Sequence, residues 1–370
     1  MKRLLILLSL LLLCSGAITA QSDETILVDT LLDRMEQAVM RGDSVAYLAN
    51  VDLSDPIFAR EHTNWAEDWA DGDYLTDFEL EAENIDTING YTIADLTMRW
   101  ESTLEENPGM TARFAAKFIV DTEMGIALYA GEYWESTPSE HFVILSAPGQ
   151  QTAADALLPE LPDIYDSVTT AYGYEPNTQM QIKIYATRQA LVATTLLSLP
   201  EIAGWNEPGE SLKIIDAGPE SDGIIVAHEF THFLTFNQAD DTHGNIPWWA
   251  SEGIADYMAQ NYINDGEQTF AEITVGSIQQ LAERGSLVGW EEISVFEDTP
   301  VPLWRYVYPQ GYTFMHFLTE VHSAEARNAW LHNLAHDMTI DEATEAIFDI
   351  TFDELDVEFL AWLLAYEADE

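Results

Sequence analysis

The sequence has little positive charge and a single cysteine in its 370 residues. Lysine and arginine together number 14 against 65 acidic residues, which gives a formal net charge of −51 at pH 7. Nucleic acids and anionic lipids are bound by clusters of Lys and Arg, so this composition argues against both kinds of partner. Because 47% of the residues are hydrophobic, the chain can still bury enough apolar surface to fold, and its length suggests two domains.

The most hydrophobic run, residues 4–13, follows two basic residues and precedes small residues up to Ala20. This order is typical of a secretory signal peptide, and the run is too short to span a bilayer. We expect residues 1–20 to be removed, with cleavage after Ala17 as the second choice. The mature protein is therefore predicted to be exported and to lack a transmembrane span.

The only cysteine, Cys14, lies within this segment. Lipid attachment at Cys14 is an alternative, but Leu13 is large where lipoprotein cleavage requires a small residue. Without Cys14 the mature chain has no thiol, which excludes disulfides, thiolate catalysis and zinc–cysteine sites. A metal would then have to be bound by His, Asp or Glu.

The first half of the mature chain has the pattern of an α+β domain. Residues 24–49 have helical spacing, with Gly42 ending the first part. Alternating runs predict antiparallel strands near residues 78–80, 91–100, 112–120 and 126–134. We predict an accessory domain over residues 21–138, which in its order of elements resembles the cone-shaped folds related to nuclear transport factor 2. His62 is isolated there and is interpreted as a surface or core histidine.

The second half, residues 139–370, alternates strands and helices before it becomes almost entirely helical. Strands are predicted at residues 141–146, 180–185 and 212–215, and helices dominate from Gly223 onward. This order predicts a small sheet followed by a mostly helical half. The fold class of the whole chain is therefore predicted to be α+β.

Residues 228–232, His-Glu-Phe-Thr-His, form an H-E-x-x-H sequence inside an apolar run that predicts a helix. Four residues are slightly more than one turn, so His228 and His232 can share one metal ion from the same face. Zinc suits such ligands and lowers the pKa of its bound water to about 7, and Glu229 can take the proton of that water. The alternative is a helix with two solvated or core histidines, but burying them unpaired would be unfavourable.

A third ligand is needed to complete a catalytic zinc site. Glu252, twenty residues after His232, lies near the start of a predicted helix that runs to about Tyr262. Asp256, one turn later, is placed to accept the free N–H of a ligand histidine, and Gly253 would let the two helices approach closely. The alternative is that Glu252 and Asp256 merely line an acidic helix face.

These two motifs, residues 228–232 and the Pro-Trp-Trp-Ala-Ser-Glu-Gly-Ile-Ala-Asp-Tyr segment at 247–257, resemble those of the peptidase MA-like group of gluzincin metalloproteases. The resemblance covers about residues 141–370 and implies a thermolysin-like catalytic core. It implies one zinc ion per chain. It also implies roles for individual residues: His228, His232 and Glu252 as zinc ligands, Glu229 as general base, and Asp256 as support for a ligand.

The resemblance further implies a tyrosine that donates to the oxyanion, because gluzincin aminopeptidases carry a Tyr-x-x-Gly segment. Tyr308-Pro309-Gln310-Gly311 matches this segment and is expected to open a helix, with Tyr312 as the alternative donor. The Gly-x-Met-Glu-Asn segment of the aminopeptidases is missing, so exopeptidase specificity is unsupported. An edge strand at residues 203–205 or 212–215 could instead pair with an extended peptide.

The sequence therefore predicts an exported, two-domain zinc metallopeptidase that acts on peptide or protein substrates. One alternative is a cell-surface binding protein that holds zinc with little turnover, although the intact Glu229 counts against it. The other is a zinc hydrolase that acts on a non-peptide amide or ester, which the sequence does not distinguish from a peptidase.

Overall fold

The computed structural model describes residues 22–200, 202–264 and 269–367, so the predicted signal peptide and Cys14 lie outside the described residues. The fold class is α+β, as predicted: helices and a four-stranded sheet precede a five-stranded sheet and a mostly helical half. Within the described ranges, no helix is long and apolar enough to cross a membrane.

Three helices open the described chain: α1 (Asp23–Val39), α2 (Ser44–Leu48) and α3 (Pro56–Gly72). The break between α1 and α2 falls at Gly42 as predicted, because glycine adopts its φ of +62° without the steric cost that a side chain would add. Helix α3 is not predicted by the apolar pattern, although its start signals are ordinary. Asp55 accepts hydrogen bonds from the N–H groups of Ile57 and Phe58, and Pro56 occupies the first helical position.

The first sheet is an antiparallel meander of the four predicted strands: β1 (Leu75–Ile88), β2 (Tyr91–Ser102), β3 (Gly109–Asp121) and β4 (Ile126–Glu132). It packs with α1–α3 around a core that includes the fully buried Trp65, Trp100 and Phe118. A space of about 10 Å³, enough for about one water molecule, lies beside Trp65 and is also lined by Tyr47, His62 and Tyr129. The resemblance to nuclear transport factor 2 stays a prediction.

The second sheet has the strand order β5-β6-β7-β9-β8. Its strands are β5 (Glu135–Pro138), β6 (Phe142–Ser146), β7 (Met180–Tyr185), β8 (Gly204–Trp205) and β9 (Leu212–Ile215). The central three are parallel, and β5 and β8 are antiparallel edge strands. Because β5 pairs with β6, this sheet begins at Glu135, a few residues before the predicted boundary at 138/139. The division into two domains stays a prediction.

Helices α4 (Gln151–Leu157), α5 (Leu161–Tyr172) and α6 (Arg188–Thr195) alternate with these strands. The helices that follow are α7 (Pro219–Asn237), α8 (Trp248–Asn264), α9 (Thr269–Glu283), α10 (Val301–Phe317), α11 (Ala324–Ala335), α12 (Ile340–Phe348) and α13 (Phe352–Ala365). Their core is centred on α7, α8 and α10, where Phe230, Trp249 and Phe314 are fully buried.

The cores of the two sheets meet at α6 and the segment after it. Val192, Ala193, Leu197 and Leu199 lie late in the chain, yet they are buried in the core formed by α1–α3 and the first sheet. The N-terminal part (residues 23–132) therefore packs against residues 192–199, the segment that leads to the edge strand β8.

Candidate metal centre

Helices α7 and α8 bring the three predicted ligands together. The Nε2 atoms of His228 and His232 are 3.2 Å apart, and the Oε2 atom of Glu252 lies 3.2 and 3.4 Å from them. Helix α7 buries apolar residues such as Phe230 and Leu234, and the two imidazoles lie one turn apart on the side that lines the cleft. One atom from each ligand faces a common point, as the sequence spacing predicts.

Each imidazole is oriented by a hydrogen bond at its other nitrogen. The Nδ1 atom of His228 is 3.0 Å from Asp256 Oδ1, the contact that the sequence indicates. The Nδ1 atom of His232 is 3.1 Å from Ser251 Oγ, a partner that sequence reasoning misses. With Nδ1 engaged in this way, each ring presents Nε2 to the common point.

Glu252 is oriented by a residue that sequence reasoning also misses. The indole N–H of Trp248 donates to Glu252 Oε1 over 2.9 Å, while Oε2 faces the histidines. The signal was present in the sequence, since Trp248 precedes Glu252 by four residues and must share its helix face.

The donor set fits zinc. Two imidazole nitrogens and one carboxylate oxygen match the three-ligand set of catalytic zinc sites. The other polar atom of each of these three side chains is hydrogen-bonded to a neighbouring residue. Burial by itself lowers the pKa of His228, but its hydrogen bonds to Asp256 and Glu252 outweigh burial and raise it well above the usual value. Burial raises the pKa of Glu252, but the imidazoles outweigh it and lower the pKa below the usual range. The raised pKa of His228 reflects the negative charge of Asp256 and Glu252, which a divalent cation bound there would also face.

Glu229 is buried beside the ligands, between α7 and β8. Its side chain packs against Gly204, where a Cβ atom would lie only 2.9 Å from Glu229 Cδ and 2.8 Å from Ile225 Cγ2. Gly204 is therefore needed to make room for Glu229, a requirement that the sequence does not reveal. Burial raises the pKa of Glu229 to about 7, despite the attraction of the two histidines. A carboxylate with such a pKa can take up and return a proton at neutral pH.

Tyr308 and Tyr312 lie in different environments. Tyr308 lines the same cleft as the ligands, with its ring centre 6.3 Å from that of His228. Burial, with the nearby charges of Glu252 and Asp256, raises the pKa of Tyr308 well above its usual value, so the phenol keeps its proton. Tyr312 packs instead against Tyr257, away from the cleft.

Two expectations about this region are corrected. Tyr308 does not open a helix, because α10 begins at Val301 and contains Pro309 in its interior. The close approach at Gly253 joins α8 to α10 rather than α8 to α7, since a Cβ atom on Gly253 would lie 2.7 Å from the Cα of Gly311.

The model of the Peptidase MA superfamily matches residues 166–365, which is more than half of the chain and includes every residue of the candidate metal centre named above. The chain belongs to the Peptidase MA superfamily. No curated protein matches it. Yeast LTA4 hydrolase in complex with bestatin is a similar solved structure, at 13% sequence identity and a TM-score of 0.41. That match covers 79% of this chain and 46% of the yeast chain, so this chain spans less than half of that structure's length.

The cleft of this superfamily member has a volume of about 950 Å³ and runs along the edge strand β8. One wall is aromatic, with Trp205, Trp248, Phe296 and Trp304 in mutual contact. None of the described residues that line the cleft is Lys or Arg.

Proposed function

We propose that the protein is an exported zinc-dependent metallopeptidase that hydrolyses peptide bonds with Glu229 as general base. The observation that carries this proposal is the convergence of His228, His232 and Glu252 in a cleft, with Glu229 beside them. These three residues would hold one zinc ion per chain. When bound, zinc polarises the scissile carbonyl and makes water acidic enough to be deprotonated near neutral pH.

The chain's own residues would move the protons. Glu229 takes a proton from the attacking water and returns it to the leaving amine, as its place beside the ligands allows. Tyr308 donates its O–H to the carbonyl oxygen as negative charge develops there. Loss of one such donor typically costs about 3–4 kcal/mol of transition-state stabilisation.

The edge strand β8 supports a peptide as the substrate. Gly204 and Trp205 line the cleft, and among the described strands β8 pairs only with β9. An extended peptide can therefore add to this free edge by main-chain hydrogen bonds. Residues 212–215, the other candidate for the edge, form β9 in the sheet interior.

The lining of the cleft supports a preference for neutral or basic peptides with bulky apolar side chains. The aromatic wall offers apolar contact, and Glu207 and Glu297 add negative charge without a lysine or arginine among the lining residues. Export is part of the proposal because of the predicted signal peptide at residues 1–20.

The metal content of the purified mature protein tests the proposal. We expect about one zinc per chain, lost in His228→Ala and Glu252→Ala. Glu229→Gln should keep the metal but lose the turnover of casein and quenched peptides. His332→Ala is a matched control, since His332 and His336 have the same four-residue spacing on the exposed face of α11.

The outcomes separate the alternatives. Zinc without turnover of any peptide would favour a binding protein or a hydrolase of non-peptide amides and esters, which a substrate panel would distinguish. Absence of zinc from the wild-type protein would contradict the proposal.

A further inference from the structure

Helix α3 of the N-terminal part bears a buried carboxylate that contacts side chains of the second sheet. Glu61 is only 4% exposed, and its Oε2 atom is 2.5 Å from Lys183 Nζ on β7. Its Oε1 atom accepts hydrogen bonds from the N–H and hydroxyl groups of Ser211, and lies 3.7 Å from Lys213 Nζ on β9. One carboxylate from α3 thus contacts two neighbouring strands of the second sheet.

This cluster lies next to the edge strand of the cleft. Lys213, which is also paired with Glu210, is the cross-strand partner of Trp205 on β8. Gly204, the residue before Trp205 on β8, packs against the side chain of Glu229. A continuous series of contacts therefore leads from Glu61 through β9 and β8 to the side chain of Glu229.

The N-terminal part also holds the segment that leads into β8. Asp68, two turns after Glu61 on α3, accepts hydrogen bonds from the hydroxyl and N–H groups of Ser198. Asn107, between β2 and β3, donates from Nδ2 to the carbonyl oxygens of Leu197 and Leu199, over 2.8 and 2.6 Å. Leu199 itself lines the cleft. These contacts fix the segment at the point where it enters the cleft wall.

The charge cluster is a poor choice if stability alone is required. The chain has four lysines, and two of them are buried around Glu61 in a protein with 65 acidic residues. Buried ion pairs are often no more stabilising than well-packed apolar residues, because both charges lose their hydration. Hydrogen-bonded charges do, however, hold their partners in one geometry. The cluster is therefore better explained by a need to fix the position of β9 and β8.

We propose that Glu61 is a positioning residue for the peptidase reaction: through Lys213 and Ser211 it fixes β8, so that a peptide can pair with that strand beside Glu229. This inference rests on the proposed function. The N-terminal part then supports the wall of the cleft.

The test is Glu61→Gln in the full mature chain. Glutamine keeps the size of the side chain and the bond to Ser211, but removes the negative charge that Lys183 and Lys213 face. We expect faster hydrogen exchange in residues 197–207, with the rest of the N-terminal part unchanged. We also expect a rise of about tenfold in KM for peptides long enough to pair with β8, with kcat and zinc content near wild type.

Two further variants give the experiment its controls. The double variant Glu61→Gln with Lys183→Met removes the unpaired ammonium group but leaves Lys213 without Glu61, so it should regain stability to denaturant but neither the exchange protection nor the KM of the wild type. Glu79→Gln breaks the exposed pair between Glu79 and Arg99 on the first sheet, whose side chains are both more than half exposed, and should change neither.

An unchanged KM and unchanged exchange in residues 197–207 would overturn the inference, as would faster exchange spread evenly over the N-terminal part. If Glu61→Gln fails to fold, Asp68→Asn acts on the same segment from the same helix. If hydrogen exchange in residues 197–207 is no faster in Asp68→Asn than in the wild type, the inference is also overturned. A wild-type protein that lacks zinc and activity would contradict the proposed function instead, while the exchange comparison would still test Glu61.

Discussion

A Cβ atom on Gly311 would lie 3.0 Å from the Cα of Gly253, so helices α8 and α10 cross with their backbones in direct contact. Glu252 immediately precedes Gly253, and Tyr308 lies one turn before Gly311. The crossing therefore determines how closely the Tyr308 phenol approaches the Glu252 carboxylate. Larger residues at either position would force the two helices apart.

Gly311→Ala should separate α8 from α10 and displace Tyr308. Because the added methyl group has no space, we expect a loss of about 1–3 kcal/mol in the free energy of unfolding. We expect kcat to fall by about tenfold or more, since small displacements of a reacting group are costly, while the zinc content stays unchanged. Denaturant unfolding, peptide turnover and metal analysis measure the three quantities.

Gly276→Ala is the matched control for this variant. Gly276 lies inside helix α9 with no atom near its Cβ position, so alanine should leave activity unchanged and stabilise the helix by up to about 1 kcal/mol. Full activity and normal stability in Gly311→Ala would show that the crossing does not position Tyr308.

Trp248→Phe and Ser251→Ala should each weaken zinc binding. The first removes the N–H donor to Glu252 and the second removes the hydroxyl group at Nδ1 of His232. Loss of such supporting hydrogen bonds typically lowers metal affinity about 10–100-fold. Competition with a chelator of known affinity measures the effect. Trp290→Phe, which also loses an indole hydrogen bond but away from the ligands, should retain the wild-type affinity.

His62 should make the protein less stable in acid. Burial lowers its pKa to about 3, and its Nδ1 atom lies 3.2 Å from the Tyr47 hydroxyl group. The unfolded chain has a histidine pKa of about 6.5, so it binds a proton below that pH while the folded chain does not. The contribution is therefore complete above about pH 6.5, and is lost by up to about 1.4 kcal/mol per pH unit as the pH falls toward 3.

Denaturant unfolding of the wild-type protein and of His62→Gln, at several values between pH 7 and pH 4, measures this contribution. The many surface carboxylates titrate in both proteins, so the difference between the two isolates the histidine. We expect the difference to shrink on acidification. A difference that stays constant across this range would show that His62 is not held neutral.

The local part of the metal centre could be predicted because it depends on one helix at a time. Four-residue spacing on α7 fixes the relation of His228 to His232, and the same spacing on α8 relates Glu252 to Asp256. The strands could be predicted for a similar reason, since alternation reports directly on burial.

What the sequence does not reveal depends on partners far apart in the chain. The role of Gly311 requires knowledge that α10 crosses α8, and the role of Gly204 requires knowledge that β8 lies against Glu229. Helix α3 is missed because its buried aromatic residues do not look like a simple apolar stripe. The partners of Glu61, more than 100 residues later, are accessible only from the tertiary structure.

The burial of Val192, Ala193, Leu197 and Leu199 in the core of the N-terminal part has an evolutionary consequence. A recombination event at residue 138 would join the second half of the chain to a foreign N-terminal half with no surface shaped to cover these four side chains. The two halves can therefore be inherited and diversified only together, and substitutions on one side of this contact should be accompanied by compensating substitutions on the other.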